Sequence, residues 1–330
     1  DFNSHAQKAG LPEDRYIDAL MAYLEQKLGR VWGRRVNSVF IGGGTPSLFS
    51  AESMSRLLDG LRQRLPILPS TEITMEANPG TFEMEKFRDF REAGINRLSI
   101  GIQSFSDPQL QALGRIHSAA EARHAVTAAR EAGFDNLNLD LMFALPEQTL
   151  AQSKADLEAA IELQPEHLSF YQLTLEPNTE FHVHPPVLPD DDLAWSMQQQ
   201  GLDLLSAAGF EQYEVSAFAK KRRHCRHNLN YWEFGDYLGL GAGAHGKLTD
   251  PATASVTRHH NHRHPERYMD EVERGSAISG EQRLLPADLR FEFMLNALRL
   301  KEGVESGSFT ERTGLDLMQR NSVLRAARHD

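Results

Sequence analysis

A single cysteine, Cys225, stands among the 330 residues. One thiol excludes an intrachain disulfide framework and any zinc or iron–sulfur site built from several thiolates of this chain. Long apolar runs are missing too. None approaches the ~18 to 20 residues that a spanning helix requires, and Asp1 opens no basic-then-apolar leader, so a cytoplasmic protein is expected. Positive charge is in deficit: 46 acids outnumber 35 bases, and the net charge of -11 opposes non-specific attraction to nucleic acid or anionic lipid. No nucleic-acid partner is expected. Low-complexity tracts are absent, and 40% apolar against 25% charged residues describes an ordinary globular chain.

What is present is a rhythm. From Asp14 to about Ser216, short β-rich runs alternate with amphipathic stretches, the pattern of repeated βα units around a parallel sheet. The strands are expected at Val36 to Ile41, Glu72 to Glu76, Arg97 to Ile102, Asn136 to Phe143, His167 to Leu173 and Gln212 to Val215. Helices are expected at roughly 14–28, 51–65, 83–93, 119–132, 150–163 and 191–208, where apolar residues recur at three and four residue spacing. Gly94, Gly133 and Gly209 sit where a helix C-terminal glycine belongs. Six units are too few for an eight-stranded barrel and suit an α/β partial (β/α)6 barrel, with a doubly wound sheet as the alternative. Three segments follow: the partial barrel over 1–218, a loop-rich segment over 219–283, and the start of a small helical domain over 284–330.

Several motifs carry chemistry. Gly42-Gly43-Gly44-Thr45-Pro46-Ser47 follows a strand and precedes a helix, so its backbone can approach a ligand; a tight corner explains the glycines equally well. Neither P-loop nor GxGxxG spacing is present. Glu76, Gln103 and Asp140 fall at successive strand ends, the rim where a parallel barrel places ligands, and Arg115 follows shortly after. A carboxylate in an apolar strand costs several kcal/mol unless paired, so Glu76 and Asp140 require partners. His227-Asn228-Leu229-Asn230-Tyr231-Trp232 offers an imidazole among aromatics, either a macrocycle site or a packed corner. Cys225 beside it reads as an inert thiol. The run Gly239 to His245 resembles a nucleotide loop but lacks its full spacing and reads better as a close-packed glycine turn, and His259, His260, His262 and His264 form a loop cluster, a weak metal site or, the better reading, a solvated loop.

The order of these motifs resembles the oxygen-independent coproporphyrinogen III oxidase-like radical S-adenosylmethionine family, and within it the haem chaperone branch. The likeness rests on DFNSH at Asp1, GGGTPS at Gly42, EANPG at Glu76, GIQSF at Gly101, LGRIH at Leu113, LDLMFALPEQT at Leu139, YQLTLEPNT at Tyr171, YEVSAFA at Tyr213, HNLNYW at His227, LGLGAGAH at Leu238 and FEFMLNALRL at Phe291. The resemblance implies a radical-SAM-type partial barrel with a truncated C-terminal helical domain. It implies that Gly43, Gly44, Thr45, Glu76, Gln103, Arg115 and Asp140 bind S-adenosylmethionine. It also implies that HNLNYW binds haem, with His227 as iron ligand and Asn228, Tyr231 and Trp232 around it. Family members hold a [4Fe-4S] cluster through CxxxCxxC, whose third cysteine directly precedes the DF that is here Asp1-Phe2. All three cysteines are missing from this chain, so a fragment of a longer protein is expected, and radical chemistry is not expected of this polypeptide. The function implied is haem binding and transfer to acceptor haemoproteins, with peripheral contact to membrane haemoproteins. The alternatives are a coproporphyrinogen III oxidase, or an ordinary partial-barrel lyase or hydrolase using Glu76 and Asp140 as acid and base.

Overall fold

The structure, a computed structural model, describes residues 12–80 and 84–317. The DFNSH segment and the last residues of the chain lie outside the described residues. Strands β1 (Val36–Ile41), β2 (Ile67–Ala77), β3 (Arg97–Gln103), β4 (Leu137–Phe143), β5 (His167–Gln172), β6 (Glu211–Glu214) and β7 (Ala217–Ala219) form one sheet in the order β1-β2-β3-β4-β5-β7-β6. β2 to β5 run parallel. The short β7 pairs antiparallel with both β5 and β6. Six strands were expected here. The seventh, Ala-Phe-Ala, is too short and too alanine-rich to carry a strand signal.

Helices α1 (Glu13–Val31), α2 (Ala51–Arg64), α3 (Phe87–Ala93), α4 (Asp107–Ala112), α5 (Ala119–Glu131), α6 (Leu150–Glu162), α7 (Glu180–Val183) and α8 (Asp191–Ala207) alternate with these strands. Their ends follow local chemistry. Ser118 caps α5 and Thr149 caps α6, each accepting from the backbone of the third helical residue, whose own side chain reaches back to the cap. Gly94 closes α3 at φ 110°, a conformation open to glycine at little cost.

Two compact units make up the chain. The described residues of the first are Val36–Asp59 and Leu68–Cys225; those of the second are Pro12–Arg35, Gly60–Ile67 and Arg226 onward. In the first, period-two alternation sorts the sheet into two chemically distinct faces. Ile73, Met75, Leu98, Ile100, Leu137, Leu139, Leu141, Leu168 and Phe170 are buried and form the apolar face. The opposite face of the curled half-barrel carries Glu72, Thr74, Glu76, Arg97, Ser99, Asn138, Asp140, His167, Ser169 and Tyr171. A parallel sheet covered on both sides reads as continuous apolar runs, so a polar second face marks this one for a ligand.

In the second unit, the stretch expected to be loop-rich is largely ordered: β8 (His245–Thr249), β9 (Val256–Asn261) and β10 (Ile278–Arg283) form an antiparallel sheet in the order β10-β9-β8. The correction has a physical reason. HGKLT and VTRHHN bury Gly246, Lys247, His259 and Asn261 alongside only Leu248 and Val256, and ISGEQR buries none of its residues, so the usual apolar alternation is missing. Helices α9 (Arg226–Trp232), α10 (Pro265–Glu273), α11 (Pro286–Ala297) and α12 (Ser306–Thr313) complete the unit. Phe234, Val256, Leu284, Leu289, Phe293, Ala297 and Phe309 form its apolar core. Phe293 stands edge-on to Phe234 at 5.7 Å and to Phe309 at 5.1 Å.

Candidate functional site

The polar face of the first unit is wired by hydrogen bonds across strands. The Gly43 N–H donates to Glu76 Oε2 at 2.9 Å, so the glycine corner after β1 is held by a carboxylate of β2. Gly43 and Gly44 have φ of 80° and 55°, conformations that favour glycine. A Cβ at either would enter open space, so their backbone is accessible to a ligand. Gly42 is tighter: a Cβ there would lie 2.9 Å from the Glu76 carboxyl carbon. Thr45 is half-buried and leads directly into a single turn at Pro46–Leu48.

Asp140 sits at the centre of the face. It accepts from Ser99 Oγ at 3.1 Å and from Asn138 Nδ2 at 2.9 Å. Asn138 Oδ1 accepts from Ser169 Oγ at 3.1 Å and lies 2.6 Å from His167 Nδ1. An amide oxygen only accepts, so His167 Nδ1 carries the proton and Nε2 accepts from the Tyr213 hydroxyl at 2.8 Å. Burial pushes the Asp140 carboxyl above the usual range, against the hydrogen bonds from Ser169, Asn138 and Ser99 and the charge of Arg97. Burial also raises Glu76; the Gly43 N–H opposes that shift and the Asp140 charge adds to it, which places the two carboxyls within electrostatic reach of each other.

Gln103 ends β3 at φ 68° and accepts from the Tyr171 hydroxyl at 3.0 Å through Oε1. Burial raises the Tyr171 phenol, and the charges of Asp140, Arg115 and Glu76 all act on it. Tyr171 therefore stands amid the four charged or amide residues expected at the rim. The guanidinium of Arg115 makes no ion pair among the described residues, leaving it available to an anionic group. The loop after Gln103 is pinned by Asp156 of α6, which accepts from Ser104 Oγ at 2.8 Å and Phe105 N at 2.6 Å.

Glu76, Gln103, Arg115 and Asp140 thus share one polar face with the glycine corner. Tyr171, Asn138, Ser99, Ser169 and Asp156 were missed. The signal for the first four was alternation: polar residues at every second position of RLS, NLNLD and HLSFY inside a parallel sheet. For Asp156, mid-helix, there was none.

In the second unit, α9 places His227 and Tyr231 one turn apart, with ring centroids 6.2 Å apart and nearly perpendicular. Tyr231 stands edge-on to Tyr237 at 4.7 Å. Arg299 lies over the Trp232 ring at 4.3 Å, while the buried Trp232 indole N–H has no hydrogen-bond partner among the described residues. Asn228 and the aromatic residues of the helix are half-buried. An imidazole, a phenol and an indole along one short half-exposed helix match the needs of a planar macrocycle.

Comparison with known proteins places the chain in a family. The Radical SAM superfamily model matches residues 4–160 and the HemN C-terminal domain model matches 284–326. The heme chaperone HemW of Haemophilus influenzae is 51% identical over 96% of this chain and 82% of its own length. The Escherichia coli and Bacillus subtilis heme chaperones HemW are 50% and 34% identical, each over 96% of this chain and 82% and 83% of their own lengths. This chain belongs to the HemW family. Among solved structures, the radical SAM enzyme coproporphyrinogen III oxidase HemN of Escherichia coli superimposes with a TM-score of 0.76 over 92% of this chain and 72% of its own, at 23% identity, a likeness of fold.

Radical SAM proteins as a family combine S-adenosylmethionine with a [4Fe-4S] cluster. The exposed glycine corner, the paired carboxyls and the unpaired Arg115 fit the first. The second is not matched: Cys225 is the chain's one thiol, fully buried and pointing its Sγ at Glu72 Oε1, 3.7 Å away. A cluster needs several thiolates, so no cluster chemistry follows from this chain's own residues. Among the described residues no helix is long and apolar enough to cross a membrane.

Proposed function

We propose that this chain binds haem and passes it to acceptor haemoproteins in the cytoplasm, including acceptors at a membrane surface, while its half-barrel binds S-adenosylmethionine. The observation that carries the reading is α9: His227 and Tyr231 face the same way one turn apart, beside a tryptophan whose indole N–H is unsatisfied. His227 is the iron ligand, and Asn228, Tyr231 and Trp232 shape the pocket. In the half-barrel, Gly43, Gly44 and Thr45 hold the ligand by their backbone. Glu76 and Asp140 receive its ammonium and hydroxyl groups, Arg115 its carboxylate, and Gln103 is oriented by Tyr171. Bound S-adenosylmethionine would supply a sulfonium group and charge; these residues bind and orient it. The division into a barrel over 1–218, a haem-motif segment over 219–283 and the start of a helical domain over 284–330 is part of the same proposal.

The test is a haemin titration followed by Soret absorbance, on this chain and on His227→Ala, then mixing with an apo-haemoprotein. One equivalent bound, lost or spectrally altered in the variant, and handed to the acceptor is the expected result. Absence of binding by the unaltered chain refutes the reading. The oxidase alternative shares only fold with a solved oxidase and requires a cluster that these residues do not build.

A further inference from the structure

The histidine-rich stretch of the second unit remains without a role. Its expected loop is in fact strand β9 and the turn after it. His245 of β8 and His260 of β9 are register partners across the antiparallel ladder, so their side chains leave the same face of the sheet. Their rings stack with centroids 5.5 Å apart and an interplanar angle of 29°. Both are exposed, and neither imidazole has a side-chain hydrogen bond or ion pair among the described residues. The pair is built in. His260 lies flat over Gly280 of β10, where an added Cβ would come within 2.4 Å of the ring, so glycine there is what lets the imidazole lie down. His245 then stacks on His260 from the outer side.

The surroundings select a ligand. Two arginines, Arg258 and Arg263, act electrostatically on His245 along with His260. Arg258 is held by Glu292 at 2.6 Å and by the Tyr237 hydroxyl at 3.0 Å. Arg263 is exposed, packs beside Gly243 in the glycine run that feeds β8, and forms no ion pair among the described residues. Two neighbouring guanidinium groups disfavour a bare divalent cation. They favour a metal that carries carboxylates of its own. An imidazole for iron and a free guanidinium for a carboxylate are what haem, with two propionates, presents to a protein. Continuity supports this: Tyr231 of α9 packs on Tyr237, Tyr237 bonds Arg258, and Arg258 lies two residues from His260 on the same face of β9.

The geometry points to His245 as a second haem-iron ligand of this chain, positioned by His260 and assisted by Arg263 as a propionate partner, at a solvent-facing site from which haem can leave. The inference rests on the haem-binding function proposed above and deepens it. His227, set in a half-buried helix, retains haem; His245, on an exposed sheet edge, presents it. His260 touches His245 and not the iron, so it acts through orientation.

The experiment titrates haemin and metal-free protoporphyrin IX into the chain and into His227→Ala, His245→Ala, His260→Ala and Arg263→Ala. Loss of an axial ligand is expected to weaken haemin binding in His245→Ala by about tenfold and to change its Soret and electron paramagnetic resonance signatures, while protoporphyrin IX binding is unchanged. Free imidazole should restore the spectrum. His260→Ala should broaden the same signature with a smaller loss, and Arg263→Ala should weaken haemin and protoporphyrin IX alike. An unchanged haemin spectrum and affinity in His245→Ala, with binding still sensitive to His227→Ala, overturns this inference alone. Failure of the unaltered chain to bind haemin overturns both. Nickel(II) binding that needs both histidines, with haemin unaffected, overturns it in favour of a free-metal site.

Discussion

Asp156 offers the sharpest test of how the half-barrel holds its rim. Its carboxylate takes hydrogen bonds from Ser104 Oγ at 2.8 Å and Phe105 N at 2.6 Å, with Gln148 Nε2 at 3.4 Å contributing little. Asp156→Ala leaves two buried donors without an acceptor, each costing roughly 1 to 3 kcal/mol, so a loss of about 4 kcal/mol is expected. Asp156→Asn keeps one acceptor oxygen but turns an amide toward the other donor, and about half that loss is expected. Trp195 is the tryptophan of the first unit, while Trp32 and Trp232 belong to the second. Urea unfolding followed by fluorescence in a Trp32→Phe/Trp232→Phe background therefore reports on the half-barrel. With a slope of about 2 kcal/mol per molar urea, the alanine variant should unfold about 2 M earlier. The pH dependence adds a sign. Burial holds the Asp156 carboxyl above its ordinary value despite the bonds from Phe105 and Ser104, so its contribution is full below the unfolded pKa near 4 and declines as pH rises through the raised folded value. The penalty for Asp156→Ala should therefore grow on acidification from neutrality to about pH 4. A penalty below ~1 kcal/mol, or one that shrinks on acidification, would refute the reasoning.

The other carboxyls give predictions of both signs. Asp140 is also raised by burial, so the stability of the unaltered chain relative to Asp140→Asn should fall as pH climbs from about 4 to 7, read by the same urea curves. Asp236 goes the other way. Burial works to raise it, but Thr249 N at 2.6 Å, Lys247, Thr249 Oγ1 at 2.9 Å and Arg34 at 2.6 Å together hold it below the usual range. Its contribution is present above the unfolded pKa and lost as pH falls through the folded one, so Asp236→Ala should cost about 3 to 5 kcal/mol near neutrality and less in acid. Gly239→Ala would put a Cβ 2.1 Å from the backbone oxygen of His245. Backbone cannot swing aside as a side chain can, so a loss of about 2 kcal/mol or more in a thermal melt is expected.

How much of this was legible in the residues depends on whether a position's role is written in its neighbours. The strands β3 to β5 could be placed because one face of each is apolar without interruption, as in Leu98, Ile100 and Ile102. The rim residues Glu76 and Asp140 could be singled out because a carboxylate in such a run is costly. Asp156 could not: on a helix, an acid among SKADLEAA reads as a solvated face, and only the fold brings Ser104 and Phe105 to it. The second unit's sheet was hidden for a related reason. Beside Leu248 and Val256, its buried positions hold Lys247, His259 and Asn261, which are 2%, 2% and 0% exposed. Lys247 is tolerated there because Asp236, the Phe234 carbonyl and the Phe234 ring face receive its charge.

That difference bears on function. A half-barrel whose apolar face could be read from the sequence and whose polar face is cross-bonded from Asp140 to Tyr213 is a ligand platform: Ser99, Asn138, Asp140, His167 and Ser169 are tied across strands, while Thr74 Oγ1 and Arg97 Nε stay without a hydrogen-bond partner among the described residues. The second unit keeps buried groups that lack partners, among them both ring nitrogens of His259 and the Trp232 indole N–H. Each such group costs roughly 1 to 3 kcal/mol and gains nothing from the fold as it stands. Unsatisfied groups occur in the first unit as well, but a protein that must take up a large planar ligand and later release it is served by those of the second, an imidazole and an indole on the aromatic helix. Hydrogen exchange should therefore find the slowest amides in β3 to β5 and faster exchange in β8 to β10, and added haemin should slow the second group while leaving the first unchanged. Uniform protection without haemin, or slowing confined to β3 to β5 on its addition, would show that the unsatisfied groups have nothing to do with the ligand.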